Sequence, residues 1–171
     1  AGLICLTGGP TGPINDAVVQ GQISLAEELV ARLKTLFGDR LYIELQRHGM
    51  EAEAAAEPHL LNMAYAQDIP LVAINEPFFA APHDYTAHDA LICIAAGEVV
   101  AEENRRRMTP EHCFKSQSEM AALFADLPEA IENTVEIARR CAFAVKGLKP
   151  ILPRFGDGDE AEELRTQAMA G

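Results

Sequence analysis

The sequence predicts an α/β fold in which parallel strands are joined by crossover helices, followed by a helical segment. Three observations lead to this prediction. Short apolar runs of strand length occur at positions 3–7, 41–45 and 70–74. Stretches with helical patterning lie between these runs, in the order strand, helix, strand, helix, strand. After Asn75 the alternation stops, and the pattern becomes helical.

The first half of the chain provides the strands. Leu3–Thr7 is predicted to be a buried strand that ends at Gly8–Gly9–Pro10. A helix is predicted over Ser24–Phe37, with Ser24 as its N-cap and Glu27 in the capping-box position. Leucines at helical spacing line one face of this helix.

The next two strands flank a second helix. Leu41–Leu45 is predicted to be a strand, and Pro70–Ile74 the following one. A helix over Glu51–Gln67 lies between them, and Pro58 is expected either to kink or to restart it.

The second half of the chain is predicted to be helical. Helices are expected over Thr86–Ala96, Ser116–Leu127, Pro128–Phe143 and Asp159–Ala170. The stretch Pro150–Gly158 is rich in proline and glycine and reads as a linker.

Composition limits the possible functions. A chain of 171 residues suits one domain, and its net charge of −12 repels phosphate backbones. The four cysteines form no CxxC pair, which favours free thiols in a reducing compartment and predicts a cytoplasmic location. No apolar run approaches the ~20 residues that cross a bilayer, so no membrane association is expected.

Candidate site residues follow from the strand ends. In parallel sheets, functional side chains gather where the strands end. Gln46–Gly49 and Asn75–Phe78 follow two such strands, so His48 and Glu76 are expected to face a common mouth. His48 and Glu76 are therefore metal-ligand candidates. His88 and Asp89, at the start of the next predicted helix, are two more, and divalent metals are bound by such His/Asp/Glu sets.

Each candidate also has a structural interpretation. His48 could end a strand and hydrogen-bond the backbone, and Glu76 could pair with Arg47 or cap the next segment. His88 could fix a loop. The basic cluster Arg105, Arg106 and Arg107 is a candidate phosphate contact, or else a solvated or ion-paired stretch. Walker and GxGxxG loops and a serine nucleophile elbow are absent from the sequence.

Eight segments occur in a characteristic order: GLICLTGG, YIELQRHG, IPLVAINEPFF, AHDALICIAAG, ENRRRM, FKSQSEM, PEAIENTVEIARRC and LPRF. In this order they closely resemble the amino-terminal region of the alpha-subunit family of bacterial DNA polymerase III, the C-family replicative polymerases. The variant NEPFF resembles the alphaproteobacterial branch.

The resemblance implies a partial PHP (polymerase and histidinol phosphatase) domain, which is a distorted β/α barrel. Residues 1–149 would be its C-terminal part, and residues 150–171 the linker and the start of the palm. The first barrel strands, with a His-x-His motif, are expected upstream, and the palm's catalytic aspartates downstream.

Departures from the family pattern indicate a degenerate metal site. Metal-binding members commonly have LSGC where this chain has Leu6–Gly9, and NDVHY where it has Asn75–Phe79. Gly9 and Phe78 carry no donor atom, Glu76 replaces an aspartate, and His48 keeps the family's residue. No bound cofactor is therefore expected in this piece.

The function implied is a non-catalytic scaffold within a DNA-directed DNA polymerase, whose palm uses Mg²⁺. Expected partners are the rest of the polymerase chain, the proofreading subunit, and DNA through other domains. An unpaired strand edge would also allow a homodimer of the piece, which alone should be inactive. The alternatives are a metal-dependent phosphoesterase or 3′–5′ exonuclease completed by upstream strands, and a free-standing acidic interaction module.

Overall fold

Three short strands in the first half of the chain form a parallel sheet. The computed structural model describes residues 2–150 and 158–171, so most of the predicted linker lies outside the described residues. The sheet order is β1–β2–β3, with bounds Cys5–Leu6, Leu41–Leu45 and Leu71–Ala73. Both neighbouring pairs run parallel, which confirms the α/β prediction of parallel strands with crossover helices.

Seven α-helices surround or follow the sheet in the described ranges. They are α1 (Pro13–Val19), α2 (Ile23–Phe37), α3 (Glu51–Ala66), α4 (Tyr85–Ala96), α5 (Gln117–Leu123), α6 (Pro128–Arg140) and α7 (Glu160–Ala170). Short 3-10 turns occupy Gly38–Arg40 and Pro82–Asp84. The sequence patterns predicted six of these helices and missed α1, which is too short to show a full helical period.

The predicted cap of α2 was wrong, and the structure shows how α3 accommodates its proline. Ser24 lies inside α2, which begins at Ile23 after Gln22, and no side chain caps this end. The first turn is therefore held by packing, since Ile23 contacts the core cluster. Pro58 neither ends nor restarts α3, which continues through it as one helix. Burial of Ala56 and Leu60 on either side holds this helix against the loss of one backbone hydrogen bond.

The core lies around β2, which is buried along its whole length. Leu41, Ile43 and Leu45 are at most 1% exposed, and they join Val30 and Phe124 in one apolar cluster. Helix α1 packs against α2 and α3, while α6 packs against β3. This central position fixes the carboxyl ends of β2 and β3, from which the candidate site residues emerge.

The chain divides into two compact units, residues 1–141 and 142–171. The first contains the sheet and helices α1–α6. The second contains α7, whose N-cap Asp159 accepts a hydrogen bond from the backbone N–H of Ala161 at 3.0 Å. All four cysteines are free: Cys93 and Cys113 are buried, Cys5 is partly buried and Cys141 is exposed.

Candidate functional site

The ends of β2 and β3 bring His48 and Glu76 together. The backbone N–H of Glu76 lies 3.4 Å from Nε2 of His48. The contact is made by the backbone, and the Glu76 residue itself is exposed. The two strand ends therefore share one mouth, but only His48 turns its side chain into the interior.

His48 forms a buried pair with Glu53, a residue in the first turn of α3. The Nδ1 atom of His48 lies 2.8 Å from Oε1 of Glu53, and the two residues are 1% and 6% exposed. The other carboxylate oxygen accepts the backbone N–H groups of His48 at 2.6 Å and Met50 at 3.2 Å. Burial alone would raise the pKa of Glu53, but these hydrogen bonds outweigh it and lower the pKa. Glu53 thus remains an anion that caps α3 and orients His48.

A second imidazole completes the cluster. His112 stacks on His48, with ring centroids 4.0 Å apart and planes 14° apart. Its Nδ1 accepts the backbone N–H of Thr109 at 3.2 Å, and the Thr109 hydroxyl donates to the His48 carbonyl at 2.6 Å. Burial, and then the nearby His48, lower the pKa of His112, so its neutral form is favoured.

His48, Glu53 and His112 are the one group in the described ranges whose donor atoms lie within 4.8 Å of one another and could hold an ion. Their geometry does not fit a metal centre. Imidazole lone pairs lie in the ring plane, and metal–nitrogen bonds are about 2.0–2.1 Å long. Two stacked rings whose planes differ by 14° cannot both point at one ion at that distance. Both oxygens of Glu53 are already hydrogen-bonded, so the arrangement fits a hydrogen-bonded network instead.

The position of Gly9 is closed as well as lacking a donor. A Cβ atom added to Gly9 would overlap the side-chain amide of Gln46. The Gln46 amide occupies this space and donates to Oε1 of Glu44 at 2.6 Å. Glu44 is buried, and burial raises its pKa, with the charge of Glu76 adding to the effect and the Gln46 hydrogen bond opposing it. No cysteine ligand would fit here without displacing Gln46.

Aromatic packing surrounds Phe78 and His88. The Phe78 ring lies 5.8 Å from the ring of His112 and 5.4 Å from that of His88. The ring of His88 also lies 5.3 Å from Phe79, and its Nδ1 is buried with no hydrogen-bond partner among the described residues. Together, His48, His112, Phe78, His88 and Phe79 form a continuous series of ring contacts, referred to below as the ring column.

Asp89 is committed to another partner. Both of its oxygens accept hydrogen bonds from Arg105 at 2.6 Å, and the Arg105 side chain is 2% exposed. The Arg105 contact lowers the pKa of Asp89. Arg107 donates to the Glu102 carbonyl at 2.8 Å, and Arg106 is exposed. The ion-paired interpretation therefore describes Arg105, and this pair engages both oxygens of Asp89.

Arg47, next to His48, joins three parts of the fold. It pairs with Glu57 of α3 at 2.5 Å and with Asp126, between α5 and α6, at 2.6 Å. Its guanidinium also lies 4.6 Å above the centre of the Phe124 ring. Arg47 therefore has Glu57 and Asp126 as its partners, not Glu76, the partner considered from the sequence.

The sequence identified part of this site. The strand-end argument found His48 and Glu76. It missed Glu53. A carboxylate in the first turn of a predicted helix, a few residues after a strand-end histidine, was a signal that could have identified it. It also missed His112, which no nearby motif marks, because only the fold brings the loop that carries it over His48.

Comparison with known proteins shows what the chain is similar to. Residues 1–48 match the sequence model of the PHP domain. The chain is 54% identical over 173 aligned residues to the DNA polymerase III subunit alpha of Caulobacter vibrioides, covering 99% of this chain and 15% of that protein. It is 40% identical to the Rickettsia bellii subunit, with 99% and 15% covered, and 37% identical to the Escherichia coli K12 subunit, with 95% and 14% covered. The chain thus spans about one-seventh of the length of these relatives. No helix in the described part has the length and apolar character needed to cross a bilayer.

Proposed function

We propose that this chain, which belongs to the family of bacterial DNA polymerase III alpha subunits, is a non-catalytic PHP scaffold within a replicative DNA polymerase. The chain matches one segment of these subunits. One observation carries the proposal: packed side chains occupy the places where metal ligands are expected. Gln46 fills the space above Gly9, and Phe78 contributes a ring to the ring column.

The same contacts explain how the segment supports structure. Phe78 donates its backbone N–H to the His112 carbonyl at 2.9 Å, and Phe114 donates to the Phe79 carbonyl at 3.0 Å. Asn75 donates from its side chain to the Cys113 carbonyl at 3.1 Å. The segment that follows β3 is therefore bound to the loop that carries His112. Such a network holds two strand ends rigid, where a catalytic site would need open positions for water and substrate.

The activity belongs to the longer protein in this proposal. DNA synthesis needs carboxylates that hold two metal ions about 3.5–4 Å apart, and by resemblance these are palm residues beyond this segment, which bind Mg²⁺. The proposed partners are the rest of the polymerase chain and the proofreading subunit, with DNA bound through other domains. We expect this segment alone to be inactive in primer extension.

A second function has one observation in its favour. The cluster of His48, Glu53 and His112 could contribute to a metal-dependent phosphoesterase if upstream ligands converged on it. The stacked rings and the doubly bonded Glu53 argue for the scaffold.

An experiment on the longer polymerase chain distinguishes the two functions. Hydrolysis of a 3′ DNA end is measured with Mn²⁺ or Zn²⁺ for the wild type, His112→Phe and the exposed control Glu103→Ala. The scaffold predicts no hydrolysis that depends on His112. Hydrolysis that is lost in His112→Phe and kept in Glu103→Ala would establish the phosphoesterase instead.

The scaffold also makes a positive prediction for the same chain. Primer extension by Arg47→Ala should be lost over the same temperature range in which limited proteolysis detects unfolding of this segment. If Arg47→Ala still extended primers fully after proteolysis had cut this segment near position 47, a supporting role would be ruled out.

A further inference from the structure

The outer face of α4 is apolar and uncovered in the described part of the chain. Asp89 and Cys93 point inward, and both are buried. On the opposite side, Leu91 is 61% exposed and Ile94 is 76% exposed. Two exposed alanines, Ala87 and Ala95, lie at helical spacing beside them, and these four residues are called the α4 face.

The α4 face is held in a fixed place. The pair of Asp89 and Arg105 binds the inner side of α4 to the loop that follows it. The same arginine donates from Nη2 to the Val100 carbonyl at 3.3 Å, and Gly97 ends the helix in the left-handed conformation. Val99 and Val100, 64% and 54% exposed, continue the apolar surface past the helix end. A fixed apolar surface of this kind needs little ordering when it binds.

The chemistry of the face indicates a permanent partner. None of its four residues is charged, and the one carboxylate of α4, Asp89, is used on the inner side. Surfaces that bind and release carry polar residues, whereas permanent interfaces resemble a divided core. The inner side of α4 already packs against the chain, so its apolar outer face is typical of a helix with protein on both sides.

We propose that the α4 face packs against an amphipathic helix from the remainder of the longer polymerase chain. The small side chains of Ala87 and Ala95 flank Leu91 and Ile94, which lets a second helix approach closely and receive the two larger side chains in its grooves. The occupant lies in the same polypeptide because this segment is 15% of the length of a matching relative, so a large body of chain is permanently attached to it. The inference rests on the proposed function.

Cysteine labelling in the longer polymerase chain tests the contact. Ile94→Cys and Leu91→Cys are compared with Thr86→Cys, which is exposed on α4 but lies off the α4 face. The rate of maleimide labelling at each position is measured by peptide mass spectrometry, in native buffer and in urea. Dividing the native rate by the rate in urea removes differences in intrinsic reactivity.

The proposal expects native labelling of Ile94→Cys and Leu91→Cys to be at least tenfold slower than that of Thr86→Cys after this correction. Equal rates at the three positions would overturn it. Protection that disappears on dilution would identify a second copy as the occupant, and protection that needs an added subunit would identify a separate protein; both results overturn the same-chain partner. Failure of the scaffold function would instead appear in the hydrolysis and primer-extension assays, with labelling unchanged.

Discussion

At the scale of single residues, Gly9 and Gln46 decide whether position 9 can carry a larger side chain. Gly9 has an ordinary φ angle, so a larger residue there would not strain the backbone. Its added Cβ would instead collide with Gln46, which is 8% exposed and hydrogen-bonded to Glu44. The effect of a substitution at Gly9 is therefore a packing effect.

We expect Gly9→Ala to lower the free energy of unfolding by about 1–3 kcal/mol, because Gln46 must leave its buried hydrogen bond. Urea denaturation measures this change. Gly147→Ala is the matched control, since its added methyl group meets no atom within 4 Å. Combining Gly9→Ala with Gln46→Ala should recover part of the loss, and strictly additive effects would contradict the collision.

His112 should make stability depend on pH. Burial and the neighbouring His48 lower its pKa in the folded chain, while Glu53 and Glu76 oppose this less strongly. The unfolded chain takes up the proton at about pH 6.5, so the stabilisation is complete above that pH. It is lost progressively as the pH falls below 6.5 toward the lowered pKa. His112→Phe keeps a ring without titrating, and its unfolding free energy should decline less between pH 7 and 5.5. Identical pH profiles for the two proteins would contradict this prediction.

At the scale of secondary-structure elements, Arg47 connects parts of the chain that are distant in sequence. It extends from the end of β2 and reaches α3 through Glu57 and the α5–α6 turn through Asp126 and the Leu123 carbonyl at 2.8 Å. Its side chain is 20% exposed, so these ion pairs are only partly screened by water.

Arg47→Ala should lower the free energy of unfolding by about 2–4 kcal/mol, since it leaves Glu57 partly buried without its partner. The loss is measured by urea denaturation at low and high salt. Arg139→Ala, which removes an exposed arginine of α6, serves as the control and should change stability by less than about 0.5 kcal/mol. A loss for Arg47→Ala no greater than the control's would show that the connection contributes little.

The elements themselves were largely predictable. Strand β2 and helices α3, α4 and α6 follow from apolar runs and helical spacing, because local pattern and burial agree there. Helix α1 and the start of α2 were not, because both depend on packing between α1, α2 and α3 that no short window contains. For the same reason the site was half predictable: β-strand ends locate His48, while His112 reaches it through tertiary structure.

At the scale of the whole molecule, folding should not depend on a metal ion. Hydrogen bonds and stacked rings hold the His48 cluster together, and both donors and acceptors are supplied by protein atoms. The network therefore needs no ion to hold its shape.

Dialysis against a chelator should leave the thermal unfolding temperature unchanged, and elemental analysis should find less than one equivalent of zinc or manganese. Apo and zinc-supplemented samples of the same preparation provide the comparison. Two or more retained equivalents, or a rise in unfolding temperature with metal, would show that the cluster binds an ion despite its stacked geometry.

The Gln46 amide above Gly9 also has a consequence for how this position can change. A variant that gained a cysteine at position 9 first would carry a collision, and one that shortened Gln46 first would carry a void. Each single change therefore costs stability before the second one can relieve it. Positions 9 and 46 are thus expected to change together and not one at a time.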